Sequence, residues 1–179
     1  MVEVIYGSRR RFYCIVHIKY EVERTMSLTT KPASAQSLSD IYFEIKAGLR
    51  VGRRLCEYKE LLSSVDISHP ELSQYIVLNR KKYNRSVVIR DGMLEMDVIT
   101  WMSGQESDVH GHPGDCIYKM LKGSLREDLY NQKSIIRRNI VEGDCGYICD
   151  SIGYHNVKNN GGTYAVSLHV YSPSFPIDD

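Results

Sequence analysis

With 179 residues, 42% of them hydrophobic and 25% charged, the chain is long enough for one domain with a real core and too short for two comfortable ones. A net charge of +1, with lysine and arginine spread along the chain, gives no electrostatic footprint for nucleic acid or for an acidic membrane surface. No stretch is apolar and long enough to span a membrane, and five cysteines without C-x-x-C spacing argue against a disulfide framework and a zinc ribbon, which points to a reducing, cytoplasmic setting.

Residues 1–36 read as an N-terminal extension set apart from a domain at 37–179. Arg9, Arg10 and Arg11 form the most compact basic cluster, which a solvated face explains. The stretch Phe12 to Ile18 has the faint outline of a signal peptide, yet it is short, contains His17 and runs into Lys19 without a small-residue cleavage site. Phe12 to Val22 is rich in strand-forming residues, and Met26-Ser27-Leu28 reads as the start of a shorter protein.

Helices are expected over residues 37–80. Ser37 followed by Asp40 makes a capping-box-like start, and Leu38, Ile41, Tyr42, Ile45 and Leu49 recur at helical spacing up to Gly48 or Gly52. A second helix is expected over Arg53 to Ser63, burying Leu55, Leu61 and Leu62, and a short third one from Pro70. These stripes are core packing against a sheet.

After Lys82 the period changes to two. Tyr83 to Arg90 and Met93 to Trp101 alternate about Asp91-Gly92, a type I′ hairpin signal. Further strands follow at Ser107 to His112, Cys116 to Leu121, Ser124 to Tyr130, Ser134 to Ile140, Gly146 to Asp150, His155 to Lys158 and Thr163 to Ser172, punctuated by Gly123, Gly143, Gly153 and Gly161-Gly162. Many short strands without intervening helices read as an antiparallel barrel or sandwich over 83–179, so the fold class is mainly β with an N-terminal helical segment.

His110 and His112 stand two apart in the segment that reads as a strand, so both imidazoles can point at one spot. Alone, an H-x-H pair is a weak signal and equally describes two surface or core histidines. A metal with open positions needs a third ligand, and His155, framed by Gly153 and Asn159, is the candidate. In the last strand Ser167, His169 and Tyr171 share one face, and Val166, Leu168 and Val170 the other. Either the polar face is a solvated exterior or the barrel encloses a polar pocket; an apolar opposite face that can pack on the helices favours the pocket.

Gly104, five residues, His110-x-His112, three residues, Cys116, and six residues to Gly123 matches the first cupin motif with cysteine in the place usually held by glutamate. With YNR at Tyr83 to Arg85, DSIGYHNVKN at Asp150 to Asn159 and SLHVYSPSF at Ser167 to Phe175, the chain from Ser37 onward resembles the cysteine dioxygenase family. The resemblance implies a cupin-type antiparallel β-barrel holding a non-haem Fe(II) on His110, His112 and His155. It implies oxidation of L-cysteine to its sulfinate by O2, in cysteine catabolism and taurine biosynthesis, by a cytoplasmic monomer with neither nucleic-acid nor membrane partner.

The same resemblance implies that Arg85 holds the substrate carboxylate beside Tyr83. It also implies that Cys116 and Tyr171 form a thioether crosslink, a cofactor made from the protein itself, with Ser167 and His169 orienting the tyrosine. Three neutral imidazoles leave the metal charge uncompensated, which favours an anionic thiolate as ligand, and replacing the motif glutamate by Cys116 leaves room for it. Trp101 is expected to pack near the pocket. Two related readings are a dioxygenase for 3-mercaptopropionate and a catalytically silent metal-binding cupin; cysteamine has no acid group for Arg85 to pair.

Three departures bear on this. The interval from His112 to Cys116 is one residue shorter than in the animal enzymes, so iron binding is expected more firmly than the crosslink. The connection from His155 to Ser167 is also one shorter, which the Gly161-Gly162 turn can absorb. The chain stops at Asp179, soon after SPSF, where the resembling enzymes carry further strand-forming sequence, and a weaker closure of the pocket is the expected consequence.

Overall fold

Ser37 opens the first helix, α1 (Leu38–Arg50), by accepting a hydrogen bond from the Asp40 amide at 3.0 Å, and Arg50 sits in the last turn, where a cation suits the helix dipole. Leu38, Ile41, Tyr42 and Ile45 form its buried stripe. The structure, a computed structural model, describes residues 36–112, 114–130, 134–149 and 153–173. The strand expected at Phe12 to Val22, the start at Met26 and the segment after Pro173 lie outside the described residues.

The second helix is not the continuous element expected over Arg53 to Ser63. It is a 3-10 turn over Leu55–Tyr58 that passes into a five-residue helix, α2 (Lys59–Ser63). In a 3-10 turn residues three apart eclipse, and this is what puts both Leu55 and Tyr58 into the core. The third helix reduces to a 3-10 turn over Ser73–Tyr75, because only Leu72 is fully buried there and no apolar stripe exists to hold a longer one.

Strands β1 (Asn84–Arg90) and β2 (Glu95–Trp101) pair antiparallel, but the connection is a four-residue loop with Arg90 opposite Glu95, not a two-residue type I′ turn. Asp91 supplies the fold of this loop from its side chain. Its Oδ1 accepts from the amides of Met93 and Leu94 at 2.8 and 3.1 Å, and Lys46 of α1 ion-pairs with its other oxygen. Gly92 therefore has no need of the left-handed region.

The remaining strands are β3 (Asp115–Lys122), β4 (Ser124–Tyr130), β5 (Ile135–Val141), β6 (Cys145–Ile148), β7 (Tyr154–Lys158) and β8 (Ala165–Ser172). They form two antiparallel sheets, ordered β1-β2-β8-β3-β6 and β5-β4-β7. The chain steps from the first sheet to the second at Gly123, a single residue with φ 76° that joins β3 to β4.

The five-stranded sheet is covered on both faces. Its outer side packs on the helical segment through Met96, Val98, Ile117, Val166, Leu168 and Val170, while Ile99, Trp101, Cys116, Met120 and Tyr171 cluster on the inner side with Leu125 and Ile140 of the second sheet. That is why β2 is buried at every position. The fold class is mainly β, a cupin-type pair of antiparallel sheets behind a helical segment.

The strand expected at Ser107 to His112 is not a regular one. The segment meets β7 at two isolated bridges, Glu106 with Lys158 and His110 with His155. Between the bridges it advances four residues against three on β7, and this one extra residue interrupts the ladder. The local pairing is nonetheless firm at His110, whose amide donates to the His155 carbonyl at 2.8 Å and whose carbonyl accepts the His155 amide at 2.8 Å.

Candidate metal centre

The bridge sets His110 and His155 side by side, and His112 follows two residues on with its ring buried. One donor nitrogen from each of the three comes within 4.8 Å of the others. His110 Nδ1 lies 2.9 Å from the Asp108 carbonyl oxygen, and His155 Nδ1 lies 2.6 Å from Glu127 Oε1. Both oxygens can only accept, so both rings carry their proton on Nδ1 and leave a bare lone pair on Nε2.

Those Nε2 atoms face each other at 3.1 Å, and His112 Nε2 stands 2.9 Å from His155 Nε2. Lone pairs so placed repel unless a cation lies between them, so the donor set fits a shared divalent metal ion with open positions. Burial lowers His110 and pushes His112 down to about 4, which keeps both rings in the neutral form that binds metal.

Glu127 of β4 is a site residue the sequence reading missed. It is fully buried between His155 and Arg138 of β5, which ion-pairs with its other oxygen and donates to Tyr118 Oη at 3.3 Å. Burial opposes its ionisation, but the bonds to His155 and Arg138 prevail and hold the carboxyl below its ordinary value. The signal in the sequence was a single acid, Glu127, on the same strand face as Leu125 and Leu129.

A cavity of about 240 Å³ opens over the three histidines. Ile99, Met120, Leu125, Ile140, Ile148 and Val157 give it an apolar wall, and Ser167, His169 and Tyr171 of β8 face into it, so the polar face of the last strand is the inside of the barrel. Trp101 lines it as well, stacks on Tyr83 with ring centroids 4.4 Å apart and donates from Nε1 to Ser167 Oγ at 3.3 Å. Ser167 Oγ meets His169 Nε2 at 2.8 Å, and His169 Nδ1 lies 3.8 Å from Cys116 Sγ. Ser167 and His169 are thus linked to Cys116, which is in turn the cross-strand partner of Tyr171. Burial raises the Cys116 thiol and the Tyr171 phenol well above their ordinary values and pushes His169 down to about 3, so all three are neutral.

Arg85 also lines the cavity, with its Cζ 4.9 Å from the Tyr171 ring centroid. It is not a bare cation. Its Nη2 donates to Glu95 Oε1 at 2.7 Å and its Nε to Asp97 Oδ2. These two fully buried acids of β2 were also missed, although acids at alternate positions of a mostly apolar strand were visible in EMDVITW.

Residues 26–178 match the family described as cysteine dioxygenase type I. The chain belongs to that family. Among its relatives, cysteine dioxygenase type 1 of Rattus norvegicus is 33% identical over 165 residues, a span covering 86% of this chain and 80% of the rat protein. The Homo sapiens protein of the same description is 32% identical over 156 residues, 81% of this chain and 77% of the human one. Among solved structures, an uncharacterized conserved protein with a double-stranded β-helix domain from Klebsiella pneumoniae superposes with a TM-score of 0.51 at 23% identity, covering 57% of this chain and 87% of that one, a likeness of fold.

For a cysteine dioxygenase family chain, the meeting of β3 and β8 is the informative register, because Cys116 pairs directly with Tyr171. Just before β3, Gly114 passes close to the end of β8. A Cβ there would meet the Ser172 carbonyl oxygen at 2.3 Å and Pro173 Cδ at 2.5 Å, so only glycine lets the loop run this close to the end of β8.

Proposed function

We propose that this chain is an Fe(II)-dependent thiol dioxygenase that converts L-cysteine and O2 to cysteine sulfinate in the cytoplasm. The observation that carries the reading is the convergence of three imidazoles in the lining of a cavity that also bears an arginine. His110, His112 and His155 would hold the iron, with Glu127 fixing the tautomer of His155. When bound, the iron supplies a Lewis acid for the thiolate and the one-electron chemistry that lets O2 react with sulfur.

The chain's own residues do the rest. Arg85, at 4.9 Å, and the His112 ring, with its centroid 5.8 Å away, both neighbour the Tyr171 ring, so a short thiol acid lying along Tyr171 would meet the arginine with its acid group and the metal side with its sulfur. Arg85 takes the carboxylate through charge-assisted hydrogen bonds and, with Tyr83 stacked on Trp101 beside it, fixes which way the thiol points. Tyr171 keeps its proton and can donate it to the substrate or to oxygen; Cys116, held neutral and opposite it, is the partner for a thioether. The apolar wall excludes bulk water from the reacting sulfur. A cavity of about 240 Å³ has room for an amino-acid-sized thiol.

Oxygen uptake after anaerobic loading with Fe(II), with three thiols compared, tests this. Cysteine sulfinate as the main product supports the proposal, and a preference for 3-mercaptopropionate moves the substrate. Metal bound without thiol-dependent uptake leaves a silent cupin. Arg85→Ala should weaken the use of cysteine at least tenfold in kcat/KM, the scale of a lost charged hydrogen bond, and unchanged kinetics would reject its role.

A further inference from the structure

Glu95 and Asp97 lie behind Arg85, outside the cavity lining, two apart on the face β2 turns inward. Both are fully buried and both bond to the same guanidinium, while Arg90 of β1 donates from Nη2 to Glu95 Oε1 at 2.7 Å. Two carboxyls sharing one buried site do not ionise independently; the pair gives up its last proton only with difficulty. Asp97 Oδ1 is buried with no hydrogen-bond partner among the described residues, which penalises the ionised form of this acid.

We propose that Glu95 and Asp97 are positioning residues that set the charge Arg85 presents to substrate. With one proton shared by the acids, the cluster of Arg85, Arg90, Glu95 and Asp97 carries one net positive charge beside the pocket and holds an anionic thiol acid. With both acids ionised the cluster is neutral and the grip relaxes. This rests on the reading of Arg85 as the carboxylate-holding residue and deepens it into a specificity device.

The energetics run in that direction. Burial pushes Asp97 up to about 7, aided by Glu95 and opposed by Arg85; for Glu95 burial is outweighed by Arg90 and Asp97, and it stays low. The other groups facing the pair are His169 and Tyr171 from β8 and Cys116 from β3. None of these three titrates near neutral pH, since His169 is lowered to about 3 and the other two are raised. By reciprocity, an anion that lifts the pair's pKa by about one unit must itself lose about tenfold in affinity as pH rises through the transition.

Anaerobic titration of the Fe(II)-loaded protein with L-cysteine and with cysteamine, from about pH 6 to about pH 8.5, reads this out. The ratio of the two dissociation constants removes most of the effect of thiol ionisation and isolates the acid group. The proposal expects the advantage of cysteine over cysteamine to fall about tenfold toward high pH in the wild type. In Asp97→Asn it should stay at its low-pH value throughout, and Glu95→Gln, which changes the same charge from the other acid, should behave alike. A flat ratio in the wild type, or an equal fall in the variants, overturns the proposal. So does a weaker grip on cysteine at every pH in Asp97→Asn, the result of a merely structural role. If neither variant folds, the wild-type ratio decides alone. Failure of the underlying reading looks different: cysteine then shows no advantage over cysteamine at any pH, and the inference falls with it.

Discussion

His155 is the residue on which the site turns, because its Nδ1 is committed to Glu127 and its Nε2 to the two other imidazoles. Glu127→Gln preserves volume but removes the charge that holds the ring, so metal affinity should weaken by about 10- to 100-fold, measured by competition with a chelator. Unchanged affinity would make Glu127 a bystander. The direct pairing of Cys116 with Tyr171 predicts a protein that loses two hydrogens in mass after aerobic turnover with iron. Cys116→Ser and Tyr171→Phe should each abolish that loss; a mass unchanged in the wild type would show that the shorter approach to Cys116 prevents the bond. At this scale the histidines, Arg85 and the β8 triplet were legible in the sequence because spacing and motif mark them. Glu127, Glu95 and Asp97 were not, since a buried acid declares itself only through the cation or imidazole that a distant strand brings to it.

Among the elements, the approach of Gly114 to the end of β8 is a tight backbone constraint. Gly114→Ala would drive a Cβ into backbone at 2.3 Å, and β8 cannot move away because β2 and β3 flank it on both sides. A loss of roughly 1–3 kcal/mol in urea unfolding is expected, together with a smaller crosslinked fraction. Stability equal to wild type would show that the loop has room to spare. Strands were the legible elements: β4 (Ser124–Tyr130) carries the bounds its alternation gives, because period two and the glycine at its edge are local facts. The helical segment was less so, since a 3-10 turn at Leu55–Tyr58 depends on what it packs against, and the Asp91 loop turned on a side chain in place of a glycine.

Taken whole, the molecule encloses neutral histidines in a barrel closed by apolar side chains, and this has a cost in acid. His112 and His169 are lowered to about 4 and about 3, so below the ordinary histidine value the unfolded chain takes up protons that the fold refuses. Stability of the metal-free protein should therefore fall as pH drops from about 6.5 toward about 4, by up to roughly 1.4 kcal/mol per pH unit for each histidine. Urea midpoints across that range give the slope; a flat profile would mean that the rings are solvated and the pocket open. The two-sheet enclosure was legible from the run of short strands, whereas the interruption of the ladder between Glu106 and His110 was not, because one extra residue becomes visible only when its partner strand is known.

Central to the proposed function is that His110, His112 and His155 would hold an iron and Arg85 a thiol acid, so that both atoms of O2 end on the thiol sulfur. The direct measurement is single turnover of the Fe(II)-loaded protein with L-cysteine under isotopically labelled O2, with mass spectrometry of the product. Cysteine sulfinate with both sulfinate oxygens labelled is expected, and no turnover when any one of the three histidines is replaced by alanine. Labelled oxygen reduced to peroxide or water while cysteine ends as cystine would contradict it.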